Sequence, residues 1–155
     1  MNANLHSLDN VVAHQMRQLS DPVIRISFGI IFIWFGILKP LRLSAAIPLV
    51  EATVAWLPFF DAATWVEVIG WWEVLIGLAF LFKKTTRIAI ALLFMQMTGT
   101  FMPLFLLPQV TFQEDLPWLP TMEGQYIIKN LMIIAAALVL GGRLKRHSTP
   151  GHQKH

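Results

Sequence analysis

Apolar runs alternate with short polar breaks along the chain, and four of the runs approach the length that a helix needs to cross a bilayer. The pattern places spans at about 22–40, 65–82, 87–107 and 125–142, each near the ~20 residues that cover a hydrocarbon core at the helical rise. Two runs are slightly short, but Lys, Arg, Trp and Tyr at their ends extend the effective span by snorkelling into the interface. The chain therefore reads as one all-α membrane domain, 1–155, built as an integral four-helix bundle. Ahead of the first span, Leu8 to Leu19 reads as an amphipathic helix within a surface segment, 1–21, ended by Ser20-Asp21-Pro22. Leu43 to Thr64 is apolar yet interrupted by Pro48, Glu51, Pro58 and Asp61, which predicts a short interfacial helix and turn between spans one and two. Residues 143–155 read as a solvated tail.

Loop charge sets the orientation. Lys83, Lys84 and Arg87 crowd the turn between spans two and three, and Arg143, Lys145 and Arg146 follow span four, so these regions belong inside, N-in and C-in. The connection from Pro108 to Gln125 carries no Lys or Arg and holds Glu114, Asp115 and Glu123, which places it outside. Lys39 and Arg42 run mildly against the rule. Every Trp and the single Tyr fall toward the outer side, as a one-sided aromatic belt.

Composition removes several classes of chemistry. At 155 residues, 55% hydrophobic content is too apolar for an ordinary soluble fold of that size. With no cysteine, the chain has no disulfide, thiolate nucleophile or Cys-ligated metal. The net charge of +3 comes from cations at span ends rather than from one basic face, so no nucleic-acid partner is expected. The first twenty residues lack a signal-peptide core, and no removed N-terminal segment is expected. His6, His14, His147, His152 and His155 all lie outside the predicted spans, so no haem or metal ligated by imidazole within the membrane is expected.

A charged side chain within a span costs a few kcal/mol on insertion scales, so each one faces the bundle or snorkels, and each is a candidate site residue. The chain offers the charged Arg25, Lys39, Glu67, Glu73 and Lys129, and the neutral but polar Gln96. At 100° per residue, Arg25, Gly29, Gly36 and Lys39 share one stripe of the first helix, and Glu67, Gly70, Glu73 and Gly77 share one of the second. Such glycines let a neighbouring helix approach closely, so both stripes, and Gly99 on the third helix, are assigned to helix packing. Pro103 is expected to kink the third helix near Gly99. Lys39, Glu67, Glu73 and Lys129 are expected in the outer half of the bundle as a charge-balanced set, with Arg25 alone near the inner end. Two readings stay open: a buried polar network that fixes packing, or an outward-facing pocket walled by Trp34 and Trp71.

The segments RISFGIIFIWFGILKP, GWWEVLIGLAFL and EGQYIIKNLMIIAAALVLGGR resemble the DoxX-like superfamily of four-helix membrane proteins, nearest to its uncharacterised YkgB-type branch. The likeness covers about residues 20–143 and rests on the early Arg, a G-x6-G-x2-K pattern, the Glu of the second span and a G-x4-K-[ND] entry to the fourth. It implies a bacterial inner-membrane protein, with some relatives tied to redox systems, and Arg25, Lys39, Glu73 and Lys129 as the matching polar positions. Asn130 departs from the Asp that this branch carries after its Lys. The leading expectation is a redox-associated protein that binds a quinone or similar amphiphile through Lys39, Lys129 and Glu73. The alternatives are a non-enzymatic scaffold or assembly partner of another membrane or periplasmic protein, and a small-solute transporter working as a homo-oligomer.

Overall fold

An apolar run that enters hydrocarbon must satisfy its backbone internally, and a helix does so within one segment. The computed structural model, which describes the backbone of residues 2–144 and the side chains of 8–114 and 116–144, is 81% helix, and no strand occurs among those residues. The helices are α1 (Asn2–Ile37), α2 (Ile47–Val54), α3 (Ala62–Leu81), α4 (Thr86–Phe101), α5 (Pro103–Leu106), α6 (Pro108–Thr111) and α7 (Met122–Leu144), with 3-10 turns at Lys83–Thr85 and Gln113–Asp115. Four stretches, Leu8–Ile37, Ala62–Leu81, Lys83–Leu106 and Met122–Leu144, are long and apolar enough to cross a membrane. The chain is a multi-pass membrane protein whose apolar outer faces meet the bilayer. The predicted tail from 145 onward, with His147, His152 and His155, and the side chain of His6 lie outside the described residues.

Glycine placement sets the tightest contact. Gly29 packs on Gly77 and Gly36 on Gly70, so α1 and α3 run antiparallel in a fixed register. A Cβ added at Gly36 would stand 2.8 Å from the Gly70 carbonyl oxygen, and one added at Gly77 would stand 2.8 Å from that of Gly29. Phe28, Phe32, Ile76, Phe80, Leu93 and Leu140 fill the core beside this seam, and the Phe28 and Phe80 rings meet edge to face at 5.0 Å. Gly99 does not belong to this packing: a Cβ there would meet open space, so its place on the α4 stripe reflects exposure rather than close approach.

Three helix ends depart from or extend the sequence reading. The helix expected to stop at Ser20-Asp21-Pro22 instead runs unbroken through Pro22. Proline removes one backbone donor and crowds one carbonyl. A full break near hydrocarbon would strand several backbone groups, and Arg143 of α7 holds this turn by donating to Asp21 Oδ1 at 2.9 Å and to Ser20 Oγ. At 36 residues α1 is about 54 Å long, well beyond a hydrocarbon core of ~30 Å. Pro103 does interrupt the span: α4 ends at Phe101, and Met102 N–H donates to Gly99 O before α5 resumes the turn. The start of α3 is capped by Asp61, whose carboxyl is held below its ordinary range by hydrogen bonds from the Thr64 hydroxyl and backbone amide.

Candidate functional site

The end of α1 is closed by a Schellman turn, with Leu43 N–H donating to Leu38 O at 2.9 Å and Arg42 N–H to Lys39 O at 3.0 Å. Arg42 holds the left-handed position of that turn, at φ 58°, where glycine is usual. The turn fixes Lys39 over the face of α3, where its side chain is 7% exposed. Its Nζ donates to Glu73 Oε2 at 2.5 Å, and Gln96 Nε2 on α4 donates to Glu73 Oε1 at 3.0 Å. Both carboxylate oxygens thus have a partner, which a side chain only 14% exposed at mid-helix requires.

This triad forms the polar floor of a cavity of about 190 Å³. Ile31, Phe32 and Phe35 of α1 make one wall, while Met97 and Thr100 of α4 with Asn130 and Ile133 of α7 make the other. Ile31 and Phe35 are exposed on the outside of the bundle, and α1 touches α7 sparsely compared with its packing on α3. The cavity therefore opens sideways through the α1–α7 seam, toward the apolar surroundings. The volume lies below the roughly 300–1,000 Å³ that encloses a drug-sized ligand. It suits a ring or head group whose tail stays in lipid.

The expected four-charge set divides into separate arrangements. Glu67 does not join Glu73: it meets Arg42 Nη2 at 3.4 Å, while Arg42 Nη1 donates to Glu51 Oε1 at 3.2 Å. Lys39 and Arg42, the two cations expected to run against the inside rule, are thus both neutralised by carboxylates. Lys129 does not line the cavity; its Nζ lies 5.3 Å from the centre of the Tyr126 ring. The next residue, Asn130, takes the cavity-facing position, because it continues the stripe of Gly124, Ile127, Ala137 and Leu140 that α7 turns inward. That periodicity is the signal by which the sequence discloses Asn130. Trp34 and Trp71 do not wall the pocket either: they are 61% and 55% exposed, and Trp34 stacks on Phe35 at the bundle surface.

Arg25 belongs to neither group. Its Nε donates to Phe80 O at 3.2 Å and Nη2 to Leu81 O at 2.8 Å, which satisfies the last carbonyls of α3 and complements its dipole. Arg25 is a structural cap between α1 and α3, at the end of the bundle away from the cavity. Comparison with protein-family models, curated proteins and solved structures gives no match for this chain.

Proposed function

We propose that this protein is a redox-associated membrane protein that takes a quinone, or an amphiphile of similar head group, into the cavity between α1 and α7. The observation that carries the proposal is a sideways-open cavity with an apolar wall and a floor of Lys39, Glu73 and Gln96. A quinone carbonyl accepts hydrogen bonds from an ammonium and a carboxamide, both of which stand on that floor. Its flat ring would lie against the lining side chains Phe32 and Met97, with its isoprenoid tail leaving along Ile31 and Phe35. The resemblance to the DoxX-like superfamily supports a redox setting in a bacterial inner membrane.

In the orientation we propose, the turn at Lys83–Thr85 faces the cytoplasm, and α2 lies in the outer interface. The cavity then opens to the outer leaflet. Because the chain has no cysteine, Lys84→Cys and Gln113→Cys each introduce one label site. An impermeant maleimide added to intact cells should label Gln113→Cys and spare Lys84→Cys; the reverse result overturns the orientation. For binding, a short-tailed benzoquinone titrated into the purified chain should show saturable binding that Gln96→Leu weakens about tenfold, as for loss of one buried hydrogen bond. Absence of saturable binding, or unchanged binding in Gln96→Leu and in Lys39→Met with Glu73→Leu, defeats the proposal.

A second reading, a scaffold for another membrane or periplasmic protein, draws on one observation. Phe59 is 91% exposed and sits at φ 82°, a strained position for a side chain of that size. Crosslinking through that loop in native membranes should then recover a stoichiometric partner, and recovery of the chain alone counts against it.

A further inference from the structure

At the opposite end of the bundle a second cavity, of about 300 Å³, lies between the start of α4 and the end of α7, lined by Arg87, Ile90, Gly141 and Leu144. Its floor is apolar, and its width depends on Gly141: a Cβ there would already touch Ile90 Cδ1 at 3.5 Å. Arg87 is exposed, and Lys83 and Lys84 on the preceding turn are exposed as well. Among the described residues, none of these three cations forms an ion pair, whereas Arg143 in the last turn of α7 is taken up by Asp21.

An apolar trough with an uncompensated cationic mouth, at the end of a membrane-spanning helix pair, has the chemistry of a phosphodiester above an acyl chain. We propose that an anionic phospholipid seats here, with its phosphate on Arg87 and one acyl chain along Ile90, Gly141 and Leu144. Lys83 and Lys84 raise the local concentration of anionic head groups without contacting the seated phosphate. Soluble phosphate would gain nothing from the apolar floor, so the lipid is the occupant that uses the whole cavity. The site is separate from the Lys39–Glu73 cavity and does not depend on which leaflet it meets.

Native mass spectrometry of the full chain, released from detergent after exposure to phosphatidylglycerol and phosphatidylcholine of equal chain length, tests the assignment. One phosphatidylglycerol per chain should be retained in at least about tenfold preference to phosphatidylcholine. Arg87→Ala and Gly141→Leu should each reduce that retention about tenfold, the first by removing the phosphate contact and the second by filling the trough. Lys84→Ala should change it by less than about twofold. Equal retention of the two lipids, undiminished retention in Arg87→Ala, or an equal loss in Lys84→Ala overturns the proposal, the last by reducing it to general attraction. Stoichiometric binding of inorganic phosphate that competes with the lipid head group also overturns it, as a free-anion site. Arg87 is exposed, so its replacement leaves the fold intact and decides the question even where Gly141→Leu misfolds.

Discussion

The two sides of α1 contrast sharply. Toward α3, paired glycines bring backbones into contact and fix the register. Toward α7, the same helix is clasped near one end, through Ser20, Asp21 and Arg143, and parts from its neighbour at the other, where the cavity opens. One seam has almost no freedom and holds the polar floor in place; the other leaves room beside that floor. Rigidity and access are thus divided between opposite faces of one helix, which keeps the Lys39–Glu73 pair fixed even where the bundle is open.

The largest effect should come from breaking the pair that the rigid seam positions. Glu73→Leu leaves Lys39 buried without a counter-charge and should cost about 3–5 kcal/mol, measured by denaturant unfolding in mixed micelles. The double change Lys39→Met with Glu73→Leu should recover most of that loss. A single change as mild as the double one would mean that the pair is solvated rather than buried. Next, Gly36→Val forces a branched side chain against the Gly70 carbonyl and should cost about 1–3 kcal/mol. Gly99→Ala should instead be neutral or stabilise by up to ~1 kcal/mol, because α4 gains helix propensity in open space. Comparable losses at both positions would erase the distinction between the close-packed α1–α3 seam and the open face of α4. Arg143→Ala should likewise cost little, under about 1 kcal/mol, because its ion pair with Asp21 is more than one-third exposed. Its signature is geometric: spin labels at Val23 and Val139 should give a broader distance distribution, while labels on α1 and α3 keep theirs.

The four long helices and the glycine faces of α1 and α3 were legible because both depend on local periodicity, which the order of residues carries directly. The continuity of α1 through Pro22 was not, since the residue that holds that turn, Arg143, lies 122 positions from Asp21. The same limit applies to the site. Placing Lys39 and Glu73 on inward stripes was a matter of angle, but the choice of partners was set by the Schellman turn after Ile37. That turn sends Lys39 inward and aims Arg42 at Glu51 and Glu67. Lys129 shows how narrow the margin is: one residue along α7 is 100° of rotation, enough to exchange a cation for the Asn130 amide at the cavity wall.

The pairing of Lys39 with Glu73 also bears on how the protein responds to membrane voltage. A full elementary charge carried across a bilayer gains or loses about 2.3 kcal/mol per 100 mV, so a lone ammonium part-way along a span would be pulled by the resting potential and would tilt with it. The pair carries no net charge, and the field acts on it only as a short dipole. On the proposed function, a neutral ligand would enter or leave with little electrical work, whereas any event that removes one charge of the pair would make the site sensitive to the membrane potential.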